Sequence, residues 1–355
     1  MSFVTRQPKV SAASGLPPTV TALRADIVIC TYTLARWDLL ARSVESALTQ
    51  RFTPQRVIIV VDHNHELLER CQHQWGGALS DSPVEIVVVA NQFAGRLGSA
   101  RNTALLYTRA DIVAFLDDDA EAASDWLERL LAVYATHPGT VAVGGAPQPN
   151  YGAPRPSWFP PECDWVFGCH YRWLPDELAP VRHLIGASMS VRRDAILAIS
   201  GFHADDHDDM DLSHRIAHSF GPATVFYEPR AEVRHYVAPE RLTWSYFWRR
   251  CFYVNRSKVG AFADMGDAGN IRAELGFVLS VLLGFGPALV AALSGRPARL
   301  AQALVALAAV ALAGCGFVAG RVQLALGRRP EILTTGLSAA DIERVRSAVP
   351  VGDDA

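Results

Sequence analysis

Between residues 24 and 145, apolar runs alternate with amphipathic stretches in a repeating order. "ADIVICTY", "RVIIVVDHN", "VEIVVVAN" and "DIVAFLDDD" are short, nearly continuous in apolar residues and rich in Val and Ile, which predicts buried strands. Each is followed by a stretch whose apolar residues recur three and four apart: "LLARSVESALTQ", "HELLERCQHQW", "GSARNTALLYTR" and "SDWLERLLAVYATH". That spacing predicts helices. Strands apolar on both faces, each followed by a helix, imply an α/β domain with a parallel sheet covered on both sides. Polar residues gather where these strands end: Thr31, Tyr32, Asp62, Asn91 and the triplet Asp117, Asp118, Asp119. In open α/β sheets ligands bind along that edge.

The pattern changes after residue 145. "APQPNYGAPRPSWFPPE" is dense in proline and aromatics, which predicts a loop of little regular structure crossing the same sheet edge. "LIGASMSVRRDAILAISGF" predicts a short strand and a helix; "HADDHDDMDLSHRIAHSFG" is a second acidic stretch, and "ATVFYEPRAEVRHY" a further strand. "TWSYFWRRCFYVNRSKV" mixes aromatic with basic residues, as suits a membrane interface.

Two long apolar runs follow. Leu275–Leu293 is 19 residues without a charge, and Leu300–Gly320 is 21 residues with Gln302 as its one polar amide. Each approaches the ~20 residues that cross a bilayer core. The polar "SGRPAR" between them makes the pair a hairpin that spans the membrane or dips into it; two buried helices of a soluble protein are the alternative. Arg249, Arg250, Arg256, Lys258 and Arg272 precede the hairpin, and Arg321, Arg328 and Arg329 follow it, against Arg296 and Arg299 in its turn. The excess places the α/β part and the tail on the cytoplasmic side. The chain thus divides into a polar arm (1–23) without the apolar core of a secretory signal, a catalytic α/β domain (24–245), an interfacial segment (246–272), two membrane helices (273–321) and a tail (322–355).

Composition adds little to this. A chain of 355 residues with a formal charge of −3 has room for a large core and no overall attraction for nucleic acid. Its six cysteines show no metal-type spacing and fit a reducing compartment.

The acidic triplet is the most informative motif. Adjacent carboxylates repel by about 1 kcal/mol per pair near water, and more when buried. On a strand, Asp117 and Asp119 project to one face and Asp118 to the other. Two converging carboxylates suit a hard divalent cation, Mg2+ or Mn2+, with positions open for phosphate oxygens. An acidic start to the next helix is the ordinary explanation, but Ser124 or Asp125 already supplies that cap. Asp208, Asp209 and Asp211 ahead of Arg215 form either a solvated helix start or a site for a general base. His235 near a strand end is a packed residue or a metal ligand. Arg101 and Asn102 open the third helix, either on an exposed face or beside a bound phosphate.

Taken in order, "IVICTYTLARWDLLARSVESALTQ", "VIIVVDHN", "GSARNTAL", "VAFLDDDAEAASDWL", "LIGASMSVRRD" and "HDDMDLSHRI" resemble the inverting glycosyltransferases of family 2. The resemblance covers roughly residues 24–240. It implies a GT-A fold, Rossmann-like with a mostly parallel central sheet, ahead of the C-terminal two-helix membrane hairpin. It implies that Thr31, Tyr32, Asp62 and Arg101 hold a nucleotide-sugar donor, together with Asp117 and Asp118. The family's DxD motif falls on Asp117 and Asp119, which would touch the ribose and bind Mg2+ or Mn2+; His235 matches a further metal ligand. The catalytic base falls on Asp209, with Asp208 as the alternative, and Gly186, Ala187 and Ser188, with Trp158, fall on the acceptor side. Two departures stand out: Thr33 where Asn is common, and "HDDMD" where "GED" or "GEE" is common.

"WFPPECDWVFGCHYRWLP" and "VRHLIGASMSVRRD" resemble a subgroup that includes the glucosyl-dolichyl-phosphate glucuronosyltransferases. The implied function is membrane-associated transfer of a hexose or hexuronate from a UDP-type donor to a hydroxyl of a lipid-linked or other glycan acceptor, as in polysaccharide biosynthesis. Rival readings are a polyprenyl-phosphate glycosyltransferase, a processive polysaccharide synthase and an inactive scaffold of the same fold. The processive synthases carry QxxRW, for which "SYFWRRC" is a poor match.

Overall fold

The computed structural model describes residues 23–76, 83–203, 207–261, 271–328 and 336–347. The polar arm expected over 1–23 lies outside these, except for Leu23. Strands β1 (Ala25–Thr31), β2 (Arg56–Val61), β3 (Glu85–Ala90) and β4 (Ile112–Asp117) pair in parallel, with Ile27 opposite both Val57 and Ala114. Helices α1 (Trp37–Leu48), α2 (His65–Trp75), α3 (Leu97–Leu105) and α4 (Trp126–Thr136) link and cover them.

Alternate strand residues feed two cores. Ile27, Ile29, Val57, Ile59, Ala114 and Leu116 pack against α1, α2 and α4 on one face. Val28, Ile58, Val60, Val113 and Phe115 pack toward α3 on the other. Local chemistry sets the boundaries. Asn64 begins α2 by accepting the Leu67 amide at 3.0 Å on Oδ1. Asp125 stands at the start of α4, yet its carboxylate binds Arg129 rather than capping the helix.

The second half of the sheet is mixed. It consists of β5 (Ala120–Ala122), β6 (Ala142–Tyr151), β7 (Ala179–Pro180), β8 (Ser188–Arg192) and β9 (Val225–Val237), with α5 (Arg193–Ala198) and α6 (Asp208–Phe220) between β8 and β9. The order is β3-β2-β1-β4-β8-β6-β9-β5, with β7 on β9, and β8 antiparallel to β4. β6 corrects one expectation, because the first part of the proline-rich stretch is a strand. β8 pairs only with Ala142–Gly144, so residues 146–151 have a strand neighbour on one side alone. The Pro147 carbonyl accepts from the His170 amide on the other side, and Pro149 has the same parity. Their missing N–H groups thus fall where no strand needs them.

α7 (Trp244–Ala261), α8 (Ile271–Leu293) and α9 (Pro297–Ala325) follow, and α9 packs along α7. The two backbones meet at Gly316 and Gly320, where an added Cβ would collide with the carbonyl oxygens of Phe252 and Arg256. Two spans were expected. Among the described residues one helix, α9, is long and apolar enough to cross a membrane by length and composition, and the apolar run Val281–Leu293 of α8 is shorter. The tail does not trail away. α10 (Ala339–Ser347) returns to the catalytic sheet, burying Leu337 and Val345 in the α3-side core, and Arg193 Nη2 donates to the Val345 carbonyl at 2.9 Å. All six cysteines are free.

Candidate active site

The polar ends of β1, β2 and β4 open onto a cavity of about 1630 Å³. β4 stops at Asp117, and Asp118–Asp119 turn the chain into β5. Asp117 and Asp119 therefore converge through a turn rather than through strand pleating. β5 pairs with β9 so that Ala120 faces His235, which carries the imidazole to the triplet. One ligand atom from each of Asp117, Asp119 and His235 lies within 4.8 Å of the others.

His235 Nε2 is 3.2 Å from Asp119 Oδ1, and Nδ1 is 3.5 Å from Cys169 Sγ. Burial opposes charge on both partners. For Asp119, the hydrogen bond from His235 and the charges of His235, Arg36 and Arg241 outweigh burial and bring the carboxyl down to about 2. For His235, the bonds to Asp119 and Cys169 outweigh burial and hold the imidazole well above its usual range.

Asp118 is turned away from this group. Thr31 Oγ1 donates to its Oδ2 at 2.8 Å and Arg36 Nη1 to its Oδ1 at 2.9 Å, while the same Nη1 is 3.1 Å from Asp119 Oδ2. Burial and the neighbouring Asp119 still push Asp118 up to about 6. Arg36 was not singled out in the sequence, where it is one arginine on a short turn. Thr33 serves that turn, its Oγ1 accepting from the Ala35 amide at 3.3 Å.

Arg101 lies in the middle of α3, not at its start, and is almost wholly buried. Its guanidinium donates to Asp208 Oδ2 at 2.6 Å, to Asp117 Oδ1 at 3.1 Å and to the Gly186 carbonyl at 3.0 Å. The rings of Phe115 and Phe202 lie 5.6 and 5.5 Å from it. This side chain ties the triplet to the second acidic motif. Asn102 instead pairs with both backbone groups of Phe202, at 2.8 Å each.

The two candidate bases differ. Asp208 is buried and consumed by Arg101; burial nevertheless pushes it up to about 7. Asp209 lines the cavity half-buried, held by the Gly186 amide at 2.9 Å and the Met210 amide at 2.7 Å. Burial raises its pKa as well. Arg215 pairs with Asp211 at 2.8 Å and so does not touch Asp209.

Asp62 receives Asn91 Nδ2 and the Arg96 amide, each at 2.7 Å. Tyr32 stands 56% exposed at the cavity mouth, its ring 5.5 Å from the Arg36 guanidinium. Of the residues expected on the acceptor side, Gly186 and Ala187 line the cavity. Ser188 lies in the core, accepting from Trp126 Nε1 at 2.8 Å, because it begins β8. Trp158 packs with Phe159, Trp244 and Phe247 outside the cavity wall. Trp165, Phe167, Tyr171, Trp173, Tyr246 and Tyr253 supply the aromatic wall instead.

The sequence signature described as Glycosyl transferase family 2 matches residues 26–198. The chain is 30% identical over 246 residues to the glucosyl-dolichyl phosphate glucuronosyltransferase of Haloferax volcanii, covering 66% of this chain and 76% of that protein. It is 34% identical over 139 residues to the succinoglycan biosynthesis protein ExoM of Rhizobium meliloti, covering 38% and 42% respectively. Among solved structures, the mannosyltransferase PcManGT of Pyrobaculum calidifontis, in complex with GDP-Man and Mn2+, superposes with a TM-score of 0.51 at 17% identity. That superposition covers 95% of this chain and 90% of the other, a likeness of fold. The architecture is GT-A-like, as the resemblance implied. The catalytic region and the sequence it shares with its relatives make this chain a glycosyltransferase that belongs to glycosyl transferase family 2.

Proposed function

We propose that this protein is a membrane-anchored, metal-dependent inverting transferase that moves a hexose or hexuronate from a UDP-type donor to a hydroxyl of a lipid-linked glycan. The observation that carries this reading is the convergence of Asp117, Asp119 and His235 within 4.8 Å on the same cavity that Asp209 lines. The two carboxylates suit Mn2+ or Mg2+, and the imidazole favours Mn2+, the softer of the two. They are buried or half-buried and share a hydrogen bond that an ion would replace. Bound there, the ion supplies positive charge against the leaving diphosphate.

The remaining work falls to the chain. Tyr32 and Asp62 flank the donor side, with Arg36 neutralising Asp118 and Asp119 between them. Asp209 accepts the proton of the acceptor hydroxyl as that oxygen bonds to the anomeric carbon. The bond from that carbon to the phosphate oxygen breaks on the opposite face, and its electron pair leaves with the nucleoside diphosphate, inverting the centre. The Gly186 amide aims the Asp209 carboxylate, and the raised pKa makes it a stronger base than an ordinary aspartate. α9 anchors the protein, and the basic residues flanking the apolar helices favour a cytoplasmic catalytic domain. The glucuronosyltransferase relative supports a uronate donor and a dolichyl-phosphate-type acceptor.

A panel of UDP-sugars offered to the detergent-purified protein, with and without Mn2+, tests this. Turnover of one donor, lost with EDTA and in Asp119→Ala, is the expected result. Turnover that ignores EDTA would overturn the metal site.

A further inference from the structure

The two ring nitrogens of His235 have partners of different kinds. Nε2 lies 3.2 Å from Asp119 Oδ1, and Nδ1 lies 3.5 Å from Cys169 Sγ. Cys169 comes from a distant part of the chain, the loop that follows the short 3-10 helix Pro161–Phe167. It is fully buried and lines the same cavity as the carboxylates.

That loop is built to hold the sulfur in place. Its helix ends at Gly168, which has a φ of +71°, a left-handed conformation that glycine adopts without strain. The turn lays Gly168 beside the imidazole, so that an added Cβ would stand 3.6 Å from His235 Cε1. The Cys169 amide donates to the Asp164 carbonyl at 3.3 Å, and the Phe167 ring stacks on Phe159 with centroids 4.6 Å apart. The thiol has an acceptor of its own, since Sγ lies 3.9 Å from the Phe167 carbonyl oxygen. With the S–H directed there, the sulfur is left to accept from the Nδ1–H of His235.

A neutral imidazole carries one ring proton, and the nitrogen that ligates a cation cannot be the one that bears it. An acceptor beside Nδ1 keeps the proton on that side and leaves the Nε2 lone pair facing Asp119. Buried cysteines ordinarily serve as small apolar packing groups, and Cys169 does pack with Phe159, Cys163 and Phe247. Packing alone gives no reason for its sulfur to lie between an imidazole nitrogen and a carbonyl oxygen.

We propose that Cys169 is a positioning residue for His235: its sulfur accepts from Nδ1–H, turns Nε2 toward the carboxylates, and so favours Mn2+ over Mg2+ at this site. This rests on the metal-site reading above and names the group that prepares its imidazole. Because the imidazole favours Mn2+, a misdirected ring costs more affinity for Mn2+ than for Mg2+.

The test uses the full chain in detergent. Bound Mn2+ is read directly by electron paramagnetic resonance, Mg2+ by competition, and folding by denaturant midpoints. Cys169→Ala and Cys169→Val bracket the thiol in size and lack an acceptor; each should weaken Mn2+ binding about tenfold and Mg2+ binding by less. Cys169→Ser keeps an acceptor and should stay within a few-fold of the wild type. In a His235→Ala background, Cys169→Ala should weaken Mn2+ no further, since the sulfur acts through the ring. Wild-type Mn2+ affinity in both folded apolar variants would overturn the proposal. So would an equal loss in Cys169→Ser, or a loss that persists without His235. Wild-type Mn2+ affinity in Asp119→Ala would sink the metal site itself, whereas loss there with none in Cys169→Ala would sink only the role of the thiol.

Discussion

Two parts of the cavity wall treat their polar groups in opposite ways. At the acidic end the protein supplies its own counter-charges: Arg101 for Asp117 and Asp208, Arg36 for Asp118 and Asp119, and His235 for Asp119. Asp209 is held by backbone amides rather than by a direct ion pair, and it faces the cavity. At the far end, burial and then the charges of Lys258, His214 and Arg182 push His183 down to about 3, which leaves its ring neutral, and among the described residues His183 Nδ1 and Arg182 Nε are buried without a hydrogen bond. A carboxylate cluster already balanced by arginines holds its geometry before any ligand arrives, which is what a metal and diphosphate site requires. The difference is between carboxylates whose partners are already in place and buried polar atoms, Arg182 Nε and His183 Nδ1, whose hydrogen-bonding capacity is unused among the described residues.

The comparison breaks first at Asp209. Asp209→Asn should lower sugar transfer by about 10²–10⁴-fold while UDP binding in Mn2+ persists, measured by product formation and by titration of the same preparation. Near-normal turnover would remove the base from this position. Next in size is Arg101. Arg101→Met leaves Asp117 and Asp208 without a counter-charge in a buried site, and should cost about 3–5 kcal/mol in denaturant unfolding. Arg101→Lys should recover little of it, since one ammonium cannot serve three acceptors in a fixed fork.

A smaller effect reads the acidic end through pH. Burial raises the Asp209 pKa, and a base is active only when ionised. Transfer should therefore rise with pH through a limb that lies above the ~4 of a free aspartate. A kcat/KM profile flat down to that value would contradict the assignment. The smallest effect sharpens the role of Arg36. Arg36→Gln makes the triplet more negative, so Mn2+ should bind a few-fold tighter and UDP a few-fold more weakly. A fall in both would mean that Arg36 acts by holding the turn rather than by its charge.

Much of the acidic end was readable from the chain. β1 to β4 bury both faces, so each appears as an unbroken apolar run, and polar residues mark where each run stops. The triplet stood out because three adjacent carboxylates at the end of an apolar strand repel one another and call for a counter-charge. What escaped reading depends on contacts between distant segments. Cys169 reaches the metal-type group through His235, which the β5–β9 pairing delivers, and Arg36 reaches it from the short turn after β1; nothing local marks either residue. β6 hid behind its prolines, which are tolerated because β8 covers only the first part of the strand. Arg101 was singled out as opening α3, whereas it lies mid-helix and joins two motifs that are far apart in the chain. The far part of the cavity wall draws on three separate segments, around His183, His214 and Lys258, none of which carries a motif by itself. Ser188 was misplaced because a one-residue step along β8 moves a side chain from cavity to core.

The most direct test of the account is a calorimetric titration of UDP into the full-length protein, with Mn2+, with EDTA, and with Mn2+ in the Asp119→Ala variant. The account predicts saturable binding in Mn2+ that disappears with EDTA and in the variant. UDP binding of equal strength under all three conditions would show that the acidic end does not hold a metal and a nucleotide diphosphate, and the assignment would fall.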